Sequence, residues 1–413
     1  EDTRTLIEWL TEQGKLRALV ATTTIAQGVN FPVSGVVFAS HQYPYGQDMP
    51  PEDFWNIAGR AGRVDQGDLG IVALAGHDDA KAKQLEKFIG RSVGALNSTL
   101  IEMVQQAAAS GSLLKLETLS WQPGWSSFLQ YLAHTYRQIG SHERFAAQVE
   151  QVLRGTLGFQ ALRKSHKGWA DSLVQGVYNY AERIKGQPLK LVDATGFSWE
   201  SVSNTLARLN QARVTSDAWT PDLFGTRRDA LQRMMGILLQ VPELREPLKE
   251  VTGGPQPDGD TLSRIICDWV QGRPLTEMAS EYFAKKTGDD DEDAADDADR
   301  VAAMTRCCRS VFGRLTQTAS WGLSALQSLT IGDSFETMSD DEQRVLRNLP
   351  ARVYYGVNSD EAVALRLLGV PRTAATPLAR TLQVSASEPL NAVRAKLRAA
   401  KVDAWTAALG ERG

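Results

Sequence analysis

The chain has 413 residues, 42% of them hydrophobic and 23% charged, with a formal net charge of −4. These are the proportions of a globular protein, and they exclude collagen-like, wholly disordered and disulfide-scaffold classes. Three cysteines (Cys267, Cys307, Cys308) cannot frame a disulfide-rich fold or a Cys-based metal centre, and the longest apolar runs, GVVFA at 35–39 and IVALAG at 71–76, fall well short of the ~20 residues that cross a bilayer. No membrane association and no metal ligands are therefore expected, and a cytoplasmic, reducing setting is.

Residue 1 is Glu rather than Met, and a helical phase (Thr5, Leu6, Trp9, Leu10) begins at once; the expectation is a piece of a longer chain. Residues 3–13 read as a helix closed by Gly14. LRALVAT (16–22) and VSGVVFAS (33–40) read as strands buried on both faces, separated by a short helical TTIAQG (23–28). Asp48 followed by Pro50, Pro51 and Glu52 is a helix start, and that helix runs through Phe54 and Ile57 to about Ala61. LGIVALAG (69–76) is a third strand. Strands and helices alternating with short connections predict a parallel sheet with right-handed crossovers.

From residue 77 the periodicity turns helical. Helices are predicted over 79–109, 125–153, 159–185, 227–240, 261–285, 298–329, 339–348, 359–368 and 388–409. PLKLVDATGFSWESVSNTLARLNQ (188–211) reads as helix, glycine turn and second helix capped by Ser198, the pattern of a helix-turn-helix or winged-helix unit and equally of a plain helical hairpin. DDDEDAADDAD (289–299) packs eight acids into eleven positions and reads as a solvated loop; without it the rest of the chain carries +4. Of the tryptophans, Trp121, Trp125, Trp169, Trp199 and Trp269 fall in helical or turn settings and are expected mostly in cores. The five histidines show no ligand spacing.

Two segments carry chemistry. ATTTIAQGVNFP (21–32) follows a strand directly, so its hydroxyls and amides are expected at the carboxyl edge of the sheet, where such folds bind ligands and where helix N-termini favour phosphate oxygens. NIAGRAGR (56–63) sets Arg60 and Arg63 three apart on one helical face, with Gly59 and Gly62 clearing space beside them. Paired guanidiniums fork onto phosphate oxygens and stabilise the charge of phosphoryl transfer.

In order and spacing these segments resemble motifs V and VI of the superfamily 2 DExD/H-box helicases, and in the GVN and GRAGR spellings the superkiller-like branch. The resemblance implies that Arg60 and Arg63 are catalytic, reaching the ATP γ-phosphate; that Gly28, Asn30, Asn56 and Gly59 line the nucleotide; and that Thr22, Thr23 and Thr24 touch the nucleic-acid backbone. Asn56 departs from the family, which has Gln there, one methylene longer. Fainter likenesses follow: CDWVQGRPLTEMA (267–279) is similar to the branch's W-x-x-G-x-x-L-x-E segment, DRVAAMTRCCRSVFGRLTQTA (299–319) to its arginine-bearing helix, with Arg306 and Arg309 implied in strand binding and Arg314 near them, and LPARVYYGVNSDEAVALRLLGVPRTAA (349–375) to a terminal helical-hairpin module turning at Gly369-Val370-Pro371.

The implied architecture is α/β then mainly α: part of a second RecA-like domain (1–78), a helical region with the winged-helix-like unit (79–215), a ratchet-like bundle with an acidic loop at 287–299 (216–338), and a C-terminal module (339–413). The sequence has no G-x-x-x-x-G-K-[ST] loop and no strand-led acidic box for Mg²⁺. The expectation is thus the C-terminal half of an ATP-dependent helicase that is inactive alone. ATP and Mg²⁺ belong to the full-length protein and neither is expected on this chain by itself. Its partners would be single-stranded DNA or RNA, the missing N-terminal RecA-like domain, and other proteins. The alternative is a non-catalytic, helicase-derived protein-interaction module.

Overall fold

The computed structural model describes residues 10, 15–16, 18, 20, 35–40, 49, 54, 57–58, 61, 71–75, 83 and 99–410, except 226–227, 253–257 and 285–296. The chain divides into two compact units, Glu1–Ser98 and Thr99–Gly413.

In the first unit, β1 (Gly35–Phe38) and β2 (Ile71–Leu74) pair in parallel, with Val36 opposite Val72 and Phe38 opposite Leu74. Parallel neighbours need a crossover, and Phe54, Ile57 and Ala58 within it are helical. Their i, i+3, i+4 spacing makes one apolar stripe. That stripe lies on the face carrying Val36, Phe38, Val72 and Leu74, and the Phe38 and Phe54 rings stack at 4.7 Å. Val37 and Ile71, which alternate to the other face, are 72% and 63% exposed. The expectation that the strand at 33–40 is buried on both faces therefore fails: among the described residues the helix covers one side only. The strand expected at 16–22 lies mostly outside the described residues; Leu16, Ala18 and Val20 belong to no strand and Val20 is exposed.

Among its described residues the second unit is built of helices joined by turns and has no strand. Its first helices are α1 (Thr99–Ala109), α2 (Pro123–Ile139), α3 (His142–Gly155), α4 (Leu157–Ser165), α5 (Lys167–Ile184), α6 (Lys190–Thr195) and α7 (Trp199–Gln211). Gly140, in the left-handed region at φ 67°, separates α2 from α3, a break that continuous periodicity over 125–153 does not register. The reading of 188–211 holds in detail. Gly196 ends α6 at φ 73°, and the Ser198 hydroxyl caps α7 by accepting from the Ser201 amide.

Next come α8 (Asp229–Leu238), α9 (Pro242–Thr252), α10 (Gly259–Val270) and α11 (Leu275–Met278), the last running into a π turn at Ala279–Phe283. The helix α9 was not read from the sequence; it runs through Pro247, and an interior proline reads as a stop. A single long helix follows, made of α12 (Asp297–Ser310), a π turn at Val311–Leu315 and α13 (Thr316–Ile331). Its buried residues Ala303, Cys307, Val311, Leu315, Ala319 and Leu323 recur every four positions. In a regular α-helix such a stripe drifts by roughly 40° per step, and a turn with i→i+5 bonds absorbs part of the drift. The last of the eight acids, Asp297 and Asp299, belong to the first turn of α12 rather than to a loop.

The chain ends in α14 (Asp340–Tyr355), opened by a capping box between Ser339 and Glu342, α15 (Asp360–Leu367), α16 (Arg372–Thr381), α17 (Leu390–Ala399) and α18 (Val402–Gly410). One core extends from Val104 to Val353, and a second, from Val357 to Ala408, belongs to the terminal helices. The turn between α15 and α16 falls at Gly369 (φ 87°) and Val370, as the sequence implies. Among the described residues no helix is long and apolar enough to cross a membrane.

Candidate nucleic-acid interface

The residues implied at the nucleotide and at the strand in the first unit (Thr22, Thr23, Thr24, Gly28, Asn30, Asn56, Gly59, Arg60 and Arg63) lie outside the described residues. What is described beside them is the helix stripe ending at Ala58, buried against the parallel pair, and the amide of Ala61 donating to the Ala58 carbonyl at 3.0 Å.

The arginine-bearing helix is described in full. Arg306 and Arg309, both placed at a strand by resemblance, have different surroundings. Arg306 is half-buried and its Nε donates to the Phe283 carbonyl at 2.8 Å, so its guanidinium closes the end of the π turn on α11. Burial also strips water from its Nη2, which has no hydrogen-bond partner among the described residues. Arg309 is exposed. Arg314, inside the second π turn, pairs with Glu250 of α9 at 2.7 Å. The ring of Phe312, half exposed, meets the Trp269 ring edge-on at 5.4 Å.

Trp269, the aromatic of the W-x-x-G-x-x-L-x-E segment, is a junction and not a stacking surface. Its ring is buried and its indole N–H donates to the Val353 carbonyl of α14 at 2.7 Å. The Arg372 guanidinium lies 4.0 Å from its ring centroid, a cation–π contact, and donates to the carbonyls of Trp269 and Gly356 at 2.6 and 3.0 Å. Asp268, next in the chain, accepts from Tyr282 and Arg273, each at 2.7 Å. Arg352 and Asp360 form a buried ion pair at 2.7 Å, and Arg352 also donates to the Pro221 carbonyl. Sequence reasoning missed Arg352 and Arg372. The available signal was Arg372 directly after Pro371, at a helix start, where a cation opposes the dipole and must have another use.

A network of small side chains lies under the α2–α7–α9 region. Glu243 Oε1 accepts from the Ser126 hydroxyl at 2.7 Å and the Ser198 amide at 2.9 Å, while Oε2 accepts from the Ser201 hydroxyl at 2.9 Å. Nearby, burial raises the Glu200 carboxyl above its ordinary value, although Tyr180 and Arg183 donate to it. Burial likewise pushes the thiols of Cys267 and Cys307 up to about 11, so both stay neutral, which suits neither a nucleophile nor a metal ligand. Among the described residues no group of His, Cys, Asp and Glu side chains could hold a metal ion.

A cleft of about 580 Å³ opens between α6, α13 and α14. Its two cations already have protein partners: Lys190 donates to both oxygens of Asp333 at 2.9 Å, and Arg347 sits over the Phe335 ring at 5.1 Å.

Comparison with known proteins points in one direction. The chain is 36% identical over 85 residues to "Putative helicase 7" of Sulfolobus islandicus filamentous virus, covering 19% of this chain and 14% of that protein. It is 29% identical over 140 residues to activating signal cointegrator 1 complex subunit 3 of Danio rerio, covering 32% of this chain and 9% of that protein. It is 40% identical over 63 residues to the Hachiman protein HamB of Bacillus cereus, covering 15% and 6%. No family model matches. The matched segments span a minor part of each relative, and they support a helicase-related function at partial coverage.

Proposed function

We propose that this chain is the C-terminal half of an ATP-dependent nucleic-acid helicase of the superkiller-like type, supplying two arginines to a split ATP site and helical domains that hold one strand. The observation that carries the reading is the ordered pair of segments, TTTIAQGVN before β1 and NIAGRAGR between β1 and β2, in a chain similar over part of its length to a protein named a putative helicase. The parallel pairing of β1 with β2 across a helical crossover supports it, because such a domain is built on a parallel sheet joined by helices.

On this reading Arg60 and Arg63 approach the γ-phosphate across the cleft between two RecA-like domains, Gly28, Asn30, Asn56 and Gly59 line the nucleotide, and Thr22 to Thr24 touch the strand. Mg²⁺ and the phosphate-cradling loop come from the absent N-terminal domain. In the second unit α6 and α7 stand as the helix-turn-helix of a winged-helix-like region, α12–α13 as the ratchet-like helix, and the terminal helices as the small hairpin module. Arg309 is an exposed cation of that long helix. Arg306 serves the strand indirectly, by holding the end of the preceding π turn.

The test is ATP turnover. This chain alone should show no nucleic-acid-stimulated hydrolysis, and the full-length protein should. Arg60→Ala or Arg63→Ala in the full-length protein should lower turnover by about 10³–10⁵ while strand binding is retained. Robust hydrolysis by the chain alone, or equal loss of turnover and binding in the variants, refutes the assignment. A salt titration separates a strand channel from a protein-docking module, since phosphate contacts make affinity fall steeply with salt.

A further inference from the structure

We infer that a shallow groove between the start of α2, α7 and the start of α9 is a single-nucleotide subsite, in which Trp121 stacks on one base of a single strand and Arg208 and Arg245 meet its phosphate. The inference rests on the strand-binding reading above and adds a place for the strand that no motif marks.

Trp121 is 60% exposed, in the turn just ahead of α2. An exposed tryptophan forgoes one of the largest burial gains a side chain offers, so its position asks for a ligand. The groove beside it has a volume of about 130 Å³, below the ≈ 300 Å³ at which small-molecule pockets begin. It therefore fits one flat group of a longer polymer better than a whole free ligand. Its floor is small and closed: Ser201, Thr205 and Val241 are buried. Asn204 and Arg208 stand one turn apart on the exposed side of α7, and Gln240 and Arg245 face them from the other wall.

The lining holds two guanidiniums, two amides, hydroxyls and an indole, and no carboxylate. An aromatic face for a base, amides for its edge and guanidiniums for phosphate are the set by which single strands are held without sequence preference. Arg208 forms no ion pair among the described residues. Arg245 bonds Glu246 through Nε at 3.0 Å and reaches the Trp121 carbonyl through Nη2 at 3.5 Å, which ties the cation to the stacking residue.

The walls are also fixed in place. The hydroxyls of Ser126 on α2 and Ser201 on α7 and the amide of Ser198, the α7 cap, all donate to Glu243 on α9. The three elements that carry Trp121, Arg208 and Arg245 are thus joined at their starts by one half-buried carboxylate, and a subsite on so well tied a base loses little order on binding.

The experiment uses the whole chain and fluorescein-labelled oligo(dT) and oligo(rU), read by anisotropy over a salt series. Trp121→Ala should weaken binding roughly 5- to 150-fold, the range of one lost base stack, and Trp121→Phe, which keeps a π face, should retain most of the affinity. Arg208→Ala should lower the slope of log affinity against log salt by about one. Photo-crosslinking with 5-iodouracil in the strand should map to the peptide containing Trp121. Both side chains are exposed, so circular dichroism melting should be unchanged, and the arginine variant and the crosslink remain informative should the tryptophan variant misfold. Wild-type binding that is indifferent to Trp121 and Arg208, with no crosslink there, overturns the subsite and leaves the strand-binding reading standing. A wild-type chain that binds neither oligonucleotide overturns both. Binding of an acidic, tyrosine-containing peptide that needs Trp121 while oligonucleotide binding does not makes the groove a protein site and overturns the inference as well.

Discussion

The junction around Trp269 and the exposed sides of α7 and α12 all carry arginine, yet they bury it to very different degrees. At the junction Arg352 is 8% exposed at its side chain, paired with Asp360, and Arg372 is spread over an indole face and three backbone carbonyls. On the helix surfaces Arg208 and Arg309 are exposed. A guanidinium whose donors are spent inside the fold has none left for a phosphate, so a motif's arginine reveals its role only once its partners are known. Arg306 shows this within a single helix: three residues before Arg309, it belongs with the junction arginines.

The sharpest way to break that contrast is Asp360→Ala, which leaves Arg352 buried without a counter-charge and should cost about 3–5 kcal/mol, read as a lowered urea midpoint. Gly356→Ala comes next. Gly356 has φ 64°, and a Cβ there would lie 2.4 Å from Trp269. The left-handed backbone costs about 1–2 kcal/mol and the crowding about 1–3 kcal/mol more, so a thermal melt should fall while oligonucleotide binding per folded molecule holds. Arg306→Ala removes the charged donor from the Phe283 carbonyl and should cost about 1.5–3 kcal/mol, whereas Arg309→Ala should stay within about 0.5 kcal/mol of wild type and lower strand affinity. Equal destabilisation by the two would erase the distinction.

The smallest effect is one of pH. Burial holds the Glu200 carboxyl above its ordinary 4.5, so its ionisation opposes folding. That penalty is absent below about pH 4.5 and grows as pH rises through the raised value. Glu200→Gln should therefore compare more favourably with wild type near about pH 7 than near about pH 4, measured by denaturant midpoints at both. A difference that runs the other way would mean that Arg183 and Tyr180 outweigh the burial.

The sequence made legible those features that rest on local chemistry. Gly196 and Ser198 announce the α6–α7 turn because a left-handed C-cap and a hydroxyl N-cap are written in adjacent residues, and Gly369 with Pro371 announces the last hairpin similarly. The helices α9, α14 and α16 run through Pro247, Pro350 and Pro377, where tertiary packing overrides a residue that locally reads as an end. The ties of Arg352 to Pro221 and of Arg372 to Trp269 span 131 and 103 positions, so no local pattern encodes them. The resemblance pointed to Arg60 and Arg63 through spelling and order alone, and to Trp269 as part of a motif without indicating that it is the hinge-pin of the terminal helices.

The π turn at Val311–Leu315 bears on how this protein tolerates change in length. A π turn holds one residue more than the α turn it replaces. Deleting one residue there would therefore restore regular α-helical bonding and keep Ala319 and Leu323 near the face they share with Ala303 and Cys307. Deleting one elsewhere in α12 or α13 would instead swing everything beyond by roughly 100°. Point substitutions on the outer side of the long helix are thus open to drift, and a one-residue change in length is open at the π turn and closed in the regular helix on either side of it.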